Sequence, residues 1–374
     1  MRPQSRCLRC IVTILTVTGA VLAPALAHDH GHFTVEGVRP AATPRAHAAL
    51  LGTSGQGKWK FRVLYTSDRL PEPARKVLKS AHGGFAVDRR PGRGEVYFAL
   101  PGAGILVISA DLKNIGLVAT PPEAKDTNLH NTTVWYSEGN AYLTFPANDA
   151  GKVFTTTLDG KLLHTLEAPG AGDDFGLAAV NDYFRGGGNF APTGVAYLDG
   201  KYFVTTGYSA LDYVLTARIL RLNPFQAAWF DLVFGGKGSA AGQFGTAHGI
   251  TVAPGGKRLD IADRPNSEID RFNRFGHYRG TLRLPAGSWP CDVDYLDDLA
   301  VVASLHGPDR SQGAPIYILE NDRLVSTILP KAELGLENFQ HIHNAVLHRV
   351  GGKLYIIAQS WNPGDFAVLE QVVE

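Results

Sequence analysis

Three histidines stand in the same local setting. Each immediately precedes an alternating apolar run: HNTTVWYS at His130, HGITVAP at His248 and HNAVLHRV at His343. A neutral imidazole is a ligand for zinc, and three on one ion leave a fourth position open, the pattern of a catalytic zinc site. A single histidine of this kind is better read as a strand cap or a core filler, but three in matching register favour metal. Tyr208 in TTGYS and Arg264 in IADRPN each follow a strand-like run. Beside a metal, a phenol suits proton transfer and a guanidinium suits an anionic ligand such as a carboxylate. The plainer readings are a half-buried loop aromatic for Tyr208 and a surface ion pair with Asp263 or Glu268 for Arg264. All five residues are far apart in the chain, so a closed repeating architecture has to bring them together.

Internal repetition supplies that architecture. The clearest unit begins at Ala247 and reads AHGITVAPGGKRLDIADRPNSEIDRFNRFGHYRGTLRLP. Its alternation predicts strands from Ile250 to Ala253, Arg258 to Ala262, Glu268 to Asn273 and Tyr278 to Leu284, broken by Gly, Pro and Asn turns. Further copies begin near His82 and at His130, Pro192, Pro290 and His343. The last copy ends after its third strand, and the alternating KFRVLY of Lys60 to Tyr65 can supply the fourth. The expected fold is all-β: a β-propeller of about six blades, closed by an N-terminal outer strand.

In a propeller the inner-strand starts and the second-strand ends meet at one mouth of the central channel. The starts read Gly83, His130, Pro192-Thr193, His248, Pro290-Cys291 and His343, so histidine occupies the second, fourth and sixth blades. The second-strand ends add Tyr208, Arg264, His306 and Trp361. His82 stands one residue out of register and falls outside the ring. His341 is either a fourth ligand or a donor lining the channel.

The 374 residues include 42 Gly and 22 Pro scattered throughout, as a β-rich chain requires. Formal net charge is +1, and Arg2, Arg6 and Arg9 belong to a leader, so no basic field exists to hold nucleic acid. Those arginines, the apolar run from Ile11 to Leu22 and Ala25-Leu26-Ala27 form an export signal with cleavage after Ala27. The expected organisation is a signal peptide over 1–27, a His-containing segment and linker over 28–57, and the propeller over 58–374. The exported product is expected to be periplasmic or secreted, free of the membrane after cleavage, and monomeric. With Cys7 and Cys10 removed, Cys291 has no disulfide partner. His28, Asp29 and His30 would then begin the mature chain, either as a frayed end or as a copper or nickel site. The glycine-rich insertion from Ala168 to Asn189 is expected over the channel face, as a lid or a mobile loop.

The stretch QFGTAHGITVAPGGKRLDIADRPNSEIDRF resembles the NHL-type propeller repeat, and more particularly the peptidyl-α-hydroxyglycine α-amidating lyases. The resemblance spans most of residues 58 to 374 and is strong only around His248 to Phe272. It implies a zinc ion on His130, His248 and His343, a catalytic tyrosine at Tyr208 and a carboxylate-binding arginine at Arg264. The implied reaction cleaves a peptidyl-α-hydroxyglycine into a peptide amide and glyoxylate. The family's second active-site arginine, at the end of the second strand of the first blade, is missing from FALPGAG here. Its calcium carboxylate after the third histidine is Asn344 here, and its methionine two residues before that histidine is His341. Zinc is therefore the expected ion and calcium a second candidate, with a small-molecule or peptide substrate bearing a carboxylate. The alternative is a non-catalytic NHL-like propeller that binds a peptide, glycan or protein. A lactonase-like hydrolase fits less well, because such enzymes hold calcium with carboxylates and asparagines rather than histidines.

Overall fold

The computed structural model describes residues 52–373, all within the contact unit Val35–Glu374. The leader, the His28 terminus and the linker up to residue 51 lie outside the described residues. No helix among the described residues is long and apolar enough to cross a membrane.

The strands form six antiparallel sheets, which are the blades of a propeller. Blade 4 runs Ala247–Val252, Arg258–Asp263, Glu268–Asn273 and Tyr278–Arg283, close to the spans expected from its alternation. Successive side chains of a strand point to opposite faces, so each blade packs against both neighbours. Leu259, Ile261 and Phe272 of blade 4 meet Phe203, Phe234 and Phe244 on the blade 3 side. Ala262, Ile269 and Leu282 meet Val293, Val302 and Tyr317 of blade 5. The core is thus a ring of apolar wedges between blades, with a polar axis.

The ring closes as expected. Trp59–Thr66 pairs antiparallel with Asp365–Gln371, completing blade 6 beyond Ile342–Val350 and Lys353–Ser360. Ser54–Gln56, inside the segment read as linker, adds a fifth strand to that sheet. Phe61 is 0% exposed and packs with Val301, Ile316 and Ile356, so the first strands are part of the core. Phe61→Ala is expected to cost about 3–5 kcal/mol, and deletion through Thr66 to exceed the stability of an ordinary domain. Thermal unfolding checks this; a soluble truncation with an unchanged Tm would contradict the closure.

The glycine-rich insertion is not a loose lid. It contains a helix, Ala178–Arg185, whose Val180 and Phe184 are buried with Phe175 and Phe190 in the wedge between blades 2 and 3. Phe175 and Phe190 lie against Trp229 of the outer strand Phe225–Gly235. Apolar residues four apart on one helix face explain the docking.

Near the axis the inner strands approach closely. A Cβ at Gly249 would lie 2.6 Å from the Cys291 carbonyl oxygen, and one at Gly84 2.7 Å from the Asn344 amide carbon. Only glycine permits that approach.

Candidate metal centre

His130, His248 and His343 come together at the axis. Their ring centroids form a near-equilateral triangle with sides of 4.6, 4.7 and 4.7 Å, and all three are 0% exposed. The inner strands of blades 4 and 6 position two of them through β-bulges. Pairing slips between Ala247 and Ile250 and between Ile342 and Asn344, which releases His248 and His343 from the ladder. Bulges at a sheet rim re-aim side chains in this way. His130 lies just before the inner strand Thr133–Ser137, with its backbone N–H on the Pro146 carbonyl.

The other three blades orient the imidazoles. Nδ1 of His130 is bonded to the Thr193 carbonyl, Nδ1 of His248 to the Cys291 carbonyl at 2.7 Å, and Nδ1 of His343 to the Gly83 carbonyl at 3.0 Å. Thr193, Cys291 and Gly83 are inner-strand starts of blades 3, 5 and 1, so each histidine is held by the next blade. A carbonyl can only accept, so each Nδ1 carries the hydrogen and each Nε2 presents a lone pair inward. Nε2 of His130 and His343 is buried without a protein partner, and Nε2 of His248 meets only the Tyr208 hydroxyl at 3.1 Å. Burial, reinforced by neighbouring histidines and Arg264, holds all three well below the ordinary histidine pKa. They are neutral at physiological pH, as metal ligands must be. Buried acceptors left unpaired are costly, and a metal ion at their meeting point would satisfy them. The residues fit zinc.

Tyr208 and Arg264 join the same centre. The Arg264 Nη1 donates to the Tyr208 hydroxyl at 2.9 Å, and Nη2 donates to the Cys291 sulfur at 3.2 Å. Arg264 is buried, and its Nε has no partner. The alternative surface ion pair is not formed: Glu268 pairs with Arg283, and Asp263 accepts from the Gly245 and Thr246 N–H groups and from Asn266. No carboxylate among the described residues is within ion-pair distance of Arg264. Burial pushes the Tyr208 phenol up, while Arg264 pulls it down.

One exclusion made from the sequence is wrong. His82, set aside for standing out of register, lies 4.6 Å from His130 and 4.5 Å from His343 between ring centroids. The ligand atoms of His82, His130 and His343 lie within 4.8 Å of one another, so the histidines close enough to share one metal include His82 and not His248, whose ring packs against those of His130 and His343. It enters from the loop before Phe85–Val87, and register counts only residues on strands. His341 and His306 lie farther out, in an arc of rings. His82 stacks on Trp361 at 5.1 Å, Trp361 is 6.1 Å from His341, His341 is 5.0 Å from His306, and His306 is 5.2 Å from Trp289.

The layer below the histidines does not suit calcium. Asn344 accepts the Phe85 N–H at 2.8 Å and donates to Asp292 at 2.7 Å, and Asn131 donates to the same carboxylate oxygen at 3.2 Å. Asp292 is thus a single carboxylate already bonded to two amides, where calcium takes about 6–8 oxygens. Burial raises its pKa to about 7. A cavity of about 370 Å³, lined by Trp135, Tyr197, Asp292 and Asp294 among others, contains none of the ring histidines.

No protein-family model matches the chain, and no curated protein matches it. A gluconolactonase from Xanthomonas campestris shares its fold at 12% identity, over 89% of this chain and 97% of that one, with a TM-score of 0.52. A catalytically inactive virginiamycin B lyase from Staphylococcus aureus with quinupristin aligns at 15% identity, over 78% and 96% of the two chains, with a TM-score of 0.47. A nidogen/laminin complex aligns at 12% identity over 75% and 94%, with a TM-score of 0.46. The chain is a six-bladed β-propeller, and at these identities the likeness is one of fold.

Proposed function

We propose that the chain is an exported zinc-dependent lyase of the peptidyl-α-hydroxyglycine amidating type, or a relative with a shifted substrate. The observation that carries this reading is the Tyr208 hydroxyl, placed between His248 Nε2 at 3.1 Å and Arg264 Nη1 at 2.9 Å. A proton-transfer group, a metal-ready imidazole ring and an uncompensated buried cation share one point. Zinc on the ring would act as a Lewis acid toward the substrate hydroxyl or carboxylate oxygen.

The protein's own groups account for the rest. Arg264 binds the substrate carboxylate, which supplies the anion its buried guanidinium lacks. Tyr208, as the phenolate, takes the hydroxyl proton. The carbon–nitrogen bond then breaks, the oxygen's electron pair forms the carbonyl of glyoxylate, and the nitrogen takes the proton back from Tyr208 to leave a primary amide. For this Tyr208 must ionise; burial outweighs Arg264 and raises the phenol, so a cation held by the neighbouring imidazoles would have to favour the phenolate further. In place of a second arginine on the first blade, the mouth presents the rings of His82, Trp361, His341 and His306, which suits a substrate other than that of the amidating lyases. The leader read from the sequence supports action in the periplasm or outside the cell.

Zinc-loaded protein should release glyoxylate from a peptidyl-α-hydroxyglycine, and Tyr208→Phe should slow that release by about 100-fold or more. Failure of the loaded wild type to release glyoxylate would overturn the amidating assignment and point to another substrate.

A further inference from the structure

We propose that His82 is an exchangeable fourth ligand: it closes the metal centre at rest and yields its place to an incoming carboxylate. This rests on the reading that the ring holds a metal.

His82 is within reach, with ligand atoms inside 4.8 Å of those of His130 and His343. Its attachment differs from that of the other three. They are fully buried and anchored to main-chain carbonyls, whereas His82 is half-buried, sits in a loop and is followed by Gly83 and Gly84. Its contacts are with side chains: Asn128 at 3.3 Å from Nδ1, the Tyr208 hydroxyl at 3.5 Å from Nε2, and the stacked faces of Trp361 and Tyr208. Such contacts hold the ring in place without fastening it to a strand.

The Asn128 amide completes the case. Its nitrogen faces His82 Nδ1, and its oxygen is buried without a partner. The two ends of an amide are interchangeable by a half-turn. Turned over, the oxygen accepts an Nδ1–H from His82, which leaves Nε2 as a lone pair facing the centre. His82 then repeats the pattern of the ring: Nδ1 on an oxygen, Nε2 inward.

Charge supplies the reason for exchange. A divalent ion beside Arg264 leaves the centre strongly positive, with no carboxylate among the described residues paired to Arg264. A neutral imidazole neutralises none of that charge. A substrate carboxylate does, so it displaces His82 while the three anchored histidines stay. Gly83 and Gly84 are packed against the axis, so the exchange is a rotation of the His82 side chain alone, and Trp361 offers the displaced ring a stacking face.

The test is X-ray absorption and the visible spectrum of the cobalt-substituted protein, with glyoxylate as the carboxylate probe. Wild type is expected to show four imidazoles at rest and three after glyoxylate is added, with a matching change in the cobalt bands. His82→Ala is expected to show three from the start, to hold the metal about 10-fold less tightly in chelator competition, and to bind glyoxylate more tightly than wild type. Three imidazoles in resting wild type, or a His82→Ala protein with unchanged spectrum and metal affinity, overturns the exchange while leaving the metal ring intact. Wild type that takes up no cobalt overturns both readings. The wild-type comparison stands even if the variant does not fold.

Discussion

Protein purified with both His130→Ala and His248→Ala is expected to contain less than about a tenth of a zinc per chain, against about one in the wild type. Each substitution removes one of three clustered imidazoles, and a single remaining ring imidazole with His82 cannot hold the ion firmly. A ligand that binds only the folded state stabilises it by mass action. A chelator should therefore lower the Tm of the wild type and leave that of the double variant unmoved. The fold should survive, because both side chains lie on the polar axis and not in the apolar wedges between blades. Undiminished zinc in the folded variant would remove these histidines from the site.

Arg264→Met should move activity and stability in opposite directions. The guanidinium is buried, its Nε is unpaired, and its two donated bonds go to a phenol and a thiol rather than to a carboxylate. A buried charge without a counter-charge costs stability, and an apolar side chain of similar size removes that cost. We expect the Tm to rise, by a stabilisation of about 1–3 kcal/mol. Turnover of a carboxylate substrate should fall by about 30-fold or more, since truncating a charged hydrogen-bonding partner costs about 2–5 kcal/mol. A structural role would give the reverse on the first readout: the Tm would fall along with the activity.

Much of this centre is readable from residue order because propeller geometry converts sequence register into position. His130, His248 and His343 each precede an inner strand, and every such start lies at the same mouth. The match between expected and observed strands in blade 4 has the same origin, since its alternation and its Pro-Gly-Gly and Phe-Gly turns agree. Where geometry departs from register, the reading fails. His82 reaches the ring from a loop, and no count of strand positions places it. Arg264 in ADRPN is placed at the mouth by its second-strand end, but its burial, which depends on Tyr208 and Cys291 from other blades, is not written in that register. Ser54–Gln56 has too few residues to show alternation, and it is a strand because Trp59–Thr66 offers it a partner. The helix Ala178–Arg185 is surrounded by glycines that suggest a loop. Its one sequence signal is the spacing of Val180 and Phe184.

Three imidazoles from alternate blades are proposed to hold one metal ion. Anomalous scattering from a crystal of the zinc-loaded protein, collected on both sides of the zinc absorption edge, tests it most directly. One strong peak is expected at the channel mouth, about 2.0–2.1 Å from Nε2 of His130, His248 and His343. A peak elsewhere, or none at the ring with zinc present in the crystal, would contradict it.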